Sequence, residues 1–143
     1  YTINFPKTFG AAPVVNTTVQ NSAGGAIIPH IISGVGVSSY SVVFGSNLTD
    51  ANYSVNTSAR PSAKTDDGTV TQSFSSSLSA GVTSQTIVYP VPFGSTPYVN
   101  VTIEGDGGSI VPYYISGVST TNYDVVFGAP IPANYKIHTF AVR

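Results

Sequence analysis

Apolar residues in this chain recur on alternate positions over short runs. Val99, Val101 and Ile103 alternate with Asn100 and Thr102. That is the period of a strand with one face in a core and the other turned outward. Val15-Asn16-Thr17-Thr18-Val19 carries the same alternation. Tyr40, Val42 and Phe44 form a second inward set, matched by Tyr123, Val125 and Phe127. A third comprises Tyr53, Val55 and Ala59, matched by Tyr135, Ile137 and Ala141. Clusters of Gly, Asn and Asp, as in 21–25 and 105–108, separate the runs and predict turns. No segment sustains apolar residues at i, i+3, i+4 and i+7, so the expectation is an all-β chain without helix.

The matched sets belong to an internal repeat. Residues 1–60 align with 85–143: Tyr1-Thr-Ile-Asn-Phe-Pro6 with Gln85-Thr-Ile-Val-Tyr-Pro90, and Phe9-Gly10 and Pro13 with Phe93-Gly94 and Pro97. Ile32-Ser-Gly-Val35 aligns with Ile115-Ser-Gly-Val118, and Tyr40-Ser-Val-Val-Phe-Gly45 with Tyr123-Asp-Val-Val-Phe-Gly128. Ala51-Asn-Tyr53 aligns with Ala133-Asn-Tyr135. The expected architecture is two tandem antiparallel β-sandwich modules of about six strands each, related by duplication. The first is expected at 1–60 and the second at 78–143. A polar connector, 61–77, would hold one short edge strand from Val70 to Phe74. The lead-in matching Leu78 to Ser84 would lie before Tyr1, which predicts further upstream sequence.

Charge narrows the function classes. Charged residues make up 8% of the chain and the net charge is −1. Lys7, Arg60, Lys64, Lys136 and Arg143 are scattered, so no basic stripe is present for phosphates or an anionic membrane. No apolar run approaches the ~18 residues of a membrane span. The chain has no cysteine, which removes disulfides and thiolate chemistry. The 41% hydrophobic content, with nine Tyr and seven Phe, is enough to oppose chain entropy. A module of this size buries only about 60% of its extended-chain surface. Burial from the sister copy and from neighbouring chains is therefore expected, hence an oligomer.

The order of motifs in each copy resembles H-type lectin and phage tail-fibre C-terminal modules. Those modules share a strand ending in Phe-Pro, then Phe, then Pro-x-Val opening the next strand, and later an aromatic-led strand and a last strand with Ala. In this chain the elements are Phe5-Pro6, Phe9, Pro13-Val-Val15, Tyr40–Phe44 and Tyr53–Ala59. In the second copy they are Tyr89-Pro90, Phe93, Pro97-Tyr-Val99, Tyr123–Phe127 and Tyr135–Ala141. The resemblance implies a six-stranded sandwich per module, a homotrimer, and ligands bound near loops and protomer boundaries. Lectins of that type carry an acidic residue after the Pro-x-Val strand, where Glu104 and Asp106 stand. The first copy has Gln20, Asn21 and Ser22 there, and the chain has no Trp.

Candidate chemistry is sparse. His30 and His138 are the only histidines and occupy non-equivalent positions, aligned with Tyr113 and Asn56. No nucleophile-and-base signature is present, so no enzyme is expected. Asp50, Asp66, Asp67, Asp106, Asp124 and Glu104 are the only carboxylates, most of them in turn-like sequence. Glu104-Gly-Asp106 and Asp66-Asp67-Gly68 offer oxygen ligands without a complete calcium-loop motif, and no metal or other cofactor is expected. Sugar recognition needs aromatic faces beside amides and carboxylates. On that ground Glu104, Asp106, Tyr113, Tyr114 and Asn122 are the candidate ligand-binding residues. Tyr113 and Tyr114 are adjacent on a strand and must point to opposite faces. Five Asn-x-Ser/Thr sequons, at Asn16, Asn47, Asn52, Asn56 and Asn100, match the composition.

The resulting expectation is a non-enzymatic, extracellular receptor-binding module of a phage tail fibre or similar virion appendage. It would recognise a host cell-surface glycan or receptor, with no nucleic-acid or membrane partner. The alternatives are a secreted H-type-like lectin and a purely structural virion or surface-appendage protein.

Overall fold

A computed structural model describes residues 1–22, 28–48, 51–61, 63–65, 70–106 and 109–143. The described residues are all-β. The strands are β1 (Thr2–Asn4), β2 (Val14–Asn21), β3 (His30–Ser33), β4 (Ser39–Phe44), β5 (Tyr53–Arg60), β6 (Ala63–Thr65), β7 (Thr71–Ser77), β8 (Ser84–Val88), β9 (Tyr98–Glu104), β10 (Tyr113–Ser116), β11 (Asn122–Phe127) and β12 (Lys136–Val142). They form a seven-stranded sheet, β1-β4-β3-β9-β12-β7-β6, a three-stranded sheet, β10-β11-β8, and a two-stranded sheet, β2-β5. Residues 61–77, expected as a connector, carry β6 and β7. β7 lies inside the sheet between β12 and β6, because Gln72 and Phe74 turn inward and are buried.

Corresponding strands pair in corresponding registers. Ile3 lies opposite Tyr40, as Ile87 lies opposite Tyr123. His30 pairs with Phe44 as Tyr113 pairs with Phe127. Val15 pairs with Ala59 as Val99 pairs with Ala141. The turns agree as well. Phe5 N–H donates to Ser38 O and Tyr89 N–H to Thr121 O, at 2.8 and 2.9 Å. Gly34 and Gly117 both take the left-handed conformation, at φ 59° and 58°, which a side chain would strain. In each half of the chain a buried tyrosine meets a threonine hydroxyl: Tyr40 with Thr57, and Tyr123 with Thr139 at 2.6 Å.

The two cores differ in size. The larger gathers Phe74, Ile87, Tyr89, Phe93, Ile103, Tyr123, Val125, Phe127, Tyr135 and Ile137 with their neighbours. The smaller holds Val15, Ile32, Tyr40 and Val42, with Ile3, Phe5, Val35, Phe44, Val55 and Ala59 packed against it. The inward set Tyr135, Ile137 and Ala141 is buried, whereas Tyr53, Val55 and Ala59 are only half-buried. The physical reason is β7, which pairs along the edge of β12 and has no counterpart on β5 among the described residues.

A single parallel bridge, Ile32 to Glu104, joins β3 to β9 and carries the large sheet from one half of the chain into the other. Gly105 N–H donates to Ile32 O at 2.8 Å beside it. β2 lies over the face of β9 and β12 that turns away from the larger core. Thr102, expected to face solvent, is therefore covered and 3% exposed. Its hydroxyl accepts the Thr17 N–H at 3.0 Å.

Candidate functional site

The densest polar cluster lies where the halves meet. His138 is on β12, on the face opposite Ile137 and Thr139, and is 3% exposed. Its Nδ1 accepts the Val15 N–H at 3.1 Å, so Nε2 carries the proton and donates to Glu104 Oε2 at 3.0 Å. Glu104 Oε1 accepts the Val35 N–H at 3.1 Å. Lys136 Nζ stands 3.9 Å from Oε2 and is mostly exposed. Burial alone would raise the Glu104 carboxyl. The hydrogen bond from His138, the Val35 N–H and the nearby charges together hold it below the ordinary carboxylate value. Both imidazole nitrogens and both carboxylate oxygens are thus spent on clasping β2 and the loop after β3 to the second half. The arrangement is a latch between elements.

The sequence analysis missed His138 as part of this cluster. The signal is a set of differences between the two copies that fall together in space. Glu104, Gly105, Lys136 and His138 align with Gln20, Asn21, Ser54 and Asn56. Glu104 lies opposite Lys136 as Gln20 lies opposite Ser54. Gly105 belongs to the set because a Cβ there would sit 2.6 Å from the Tyr135 ring and 3.0 Å from Ile31 Cδ1. Only glycine permits this approach.

The five candidate ligand residues are not brought to one place. Glu104 and Asp106 line a cleft of about 480 Å³ with Gly34, Ser77, Asn134 and Lys136. Asp106 is exposed on its rim. Tyr113 lines a different cleft and donates its hydroxyl to Val101 O at 3.1 Å. Tyr114 points to the opposite side of the sheet, 62% exposed, as strand alternation requires. Asn122 opens β11 in a turn where its N–H donates to Ser119 Oγ at 3.0 Å. It lies at the far end of the strand from Phe127, the partner of Tyr113. Asp50, Asp66 and Asp67 lie outside the described residues. No group of three potential metal ligands occurs among the described ones.

The cleft that holds Tyr113 has the better chemistry for a sugar. It occupies about 490 Å³ between the two halves, lined by Thr18, Asn21 and Tyr53 from β2 and β5, Pro29 and His30 at β3, and Tyr113 at β10. The volume falls within the range of small-ligand sites, roughly 300–1,000 Å³. Its described lining has no carboxylate, ammonium or guanidinium group. Burial holds the Tyr113 hydroxyl above its ordinary pKa, so the ring is neutral in the physiological range. His30 approaches Thr17 O through Nε2 at 3.5 Å. Sequence reasoning found Tyr113 but missed His30 and Tyr53, whose convergence depends on how β2 and β5 dock. Comparison of the chain with family models, with curated proteins and with solved structures gives no match.

Proposed function

We propose that this chain is a non-enzymatic receptor-binding or adhesion module that recognises a neutral glycan. It is built from two tandem copies of one β-sandwich unit related by duplication. The identity of register in corresponding strand pairs supports the duplication. The observation that carries the binding reading is the cleft rimmed by His30, Tyr53 and Tyr113, whose described lining has no carboxylate, ammonium or guanidinium group. Apolar ring faces stack on the C–H face of a pyranose, while Thr18 on the same lining offers a hydroxyl partner. The commitment of Glu104 and His138 to main-chain hydrogen bonds favours binding over catalysis. Resemblance to phage tail-fibre modules supports an extracellular setting on a virion appendage. Exposed Tyr98, Val88 and Tyr114, at 81%, 66% and 62%, provide surface for neighbouring protomers of a homotrimer.

The test is a glycan array on the assembled protein with Tyr53→Ala, Tyr113→Ala, Tyr114→Ala and Asp106→Ala variants, each checked for fold by circular dichroism. The reading expects neutral glycans to bind and affinity to fall about tenfold or more in Tyr53→Ala and Tyr113→Ala. Asp106→Ala should bind as the parent does, and Tyr114→Ala should weaken array binding only as far as it weakens assembly. Loss confined to Asp106→Ala would move recognition to the other cleft. Absence of any bound glycan would leave a structural appendage component as the better account.

A further inference from the structure

We propose that the open edge of β5, with the apolar cleft beside it, is an acceptor groove for an added β-strand of β7 chemistry. This rests on the equivalence of the two halves and is independent of the glycan cleft. In the second half β7 pairs along the whole of β12, with Phe74 opposite Thr139 and Gln72 opposite Ala141. Phe74 packs edge-on against Tyr89 at 6.4 Å. The Gln72 amide clasps the Val91 peptide unit: Nε2 donates to Val91 O at 2.6 Å, and Oε1 accepts Val91 N–H at 3.2 Å.

The corresponding seat in the first half carries no strand among the described residues. A cleft of about 470 Å³ lies between Ile3, Phe5, Phe9 and Lys7 on one side and Thr57 and Ala59 on the other. Phe5 and Lys7 align with Tyr89 and Val91, and Thr57 and Ala59 with Thr139 and Ala141. Thr139 and Ala141, paired with β7, are fully buried, whereas Thr57 is exposed and Ala59 half-exposed. The Lys7 N–H and C=O, counterparts of those Gln72 holds, have no hydrogen-bond partner among the described residues. The ladder also presents donors. Val15 and Thr17 turn their N–H groups away from β5, toward His138 and Thr102. In an antiparallel pair, opposite residues share that orientation. Ala59 and Thr57 therefore turn their N–H and C=O groups to the open side, as does Val55 opposite Val19. The occupant that fits is an extended segment antiparallel to β5 with an amide side chain and, two residues on, an aromatic ring. This is recognition by strand addition.

The probe is a synthetic peptide with the sequence of residues 70–79, Val-Thr-Gln-Ser-Phe-Ser-Ser-Ser-Leu-Ser, added to the intact protein and followed by amide hydrogen exchange. The expected result is saturable binding that slows exchange at Val55, Thr57 and Ala59 by about tenfold or more. The shift should vanish when the peptide phenylalanine is replaced by aspartate. Unchanged exchange on β5 at saturating peptide would overturn the proposal. So would peptide binding that exposes β12 by displacing β7. Protection of β5 that rises with protein concentration alone would assign the edge to a second copy and overturn it equally. Glycan binding is measured separately, so either reading can fail without the other.

Discussion

At the scale of single residues, the corresponding positions of the two halves act as internal controls. Tyr89 meets Phe93 edge-on as Phe5 meets Phe9, and it lies tilted beside Tyr123 where Phe5 stacks on Tyr40. The Tyr89 hydroxyl is buried without a hydrogen-bond partner, and its pKa is pushed up to about 12 by burial. A buried hydroxyl without a partner costs about 1–3 kcal/mol. Tyr89→Phe, the residue the other half uses, should therefore stabilise the fold by about 1 kcal/mol in urea denaturation. Gly105 is the opposite case. Gly105→Ala places a methyl against Tyr135 and Ile31 and should destabilise by about 1–3 kcal/mol, the usual cost of overpacking.

The residue latch between the halves predicts a pH dependence. Glu104 has a lowered pKa in the folded chain. The stability it contributes is present above the ordinary carboxylate value and is lost as pH falls through the lowered value. Denaturation midpoints measured across that acid range should fall for the parent and fall less for Glu104→Gln. Equal acid sensitivity in both would remove Glu104 as the cause.

At the scale of elements, alternation located the strands because each inward set faces a core that is local in sequence. Tyr123, Val125 and Phe127 are buried as read. Burial of Thr102 and His138 was not legible, because both lie on the outer face of their strands and are covered by β2 from the other half. β7 was read as part of a connector for a related reason. Its Ser-rich outer positions left only a short edge strand legible, Val70 to Phe74, whereas β7 runs Thr71–Ser77 inside the sheet because Gln72 and Phe74 pack inward. Cutting this element should show the difference: Phe74→Ala removes a ring from the larger core and should cost about 3–5 kcal/mol. A surface connector would tolerate it.

At the scale of the whole molecule, the halves are alike in register and unequal in surroundings. The second half has β7 paired along β12 and receives β2 on its outer face, while β5 in the first half has no partner on its other edge among the described residues. The candidate sugar cleft arises only from their docking. This is why Tyr113 was legible as an aromatic candidate and its companions His30 and Tyr53 were not. The spacing of Glu104 and Asp106 near Tyr113 in sequence suggested one site, but the fold separates them into two clefts. Assembly belongs to the same scale. The proposed homotrimer, measured by light scattering, should lose association on Tyr98→Ser or Tyr114→Ser substitution without loss of the protomer fold.

The most direct measurement is a nuclear magnetic resonance titration of the assembled protein with the neutral glycan that binds best on the array. The account predicts shifts centred on Thr18, His30, Tyr53 and Tyr113, with saturation. Shifts confined to Asp106, Asn134 and Lys136, or no shift at any glycan concentration, would contradict it.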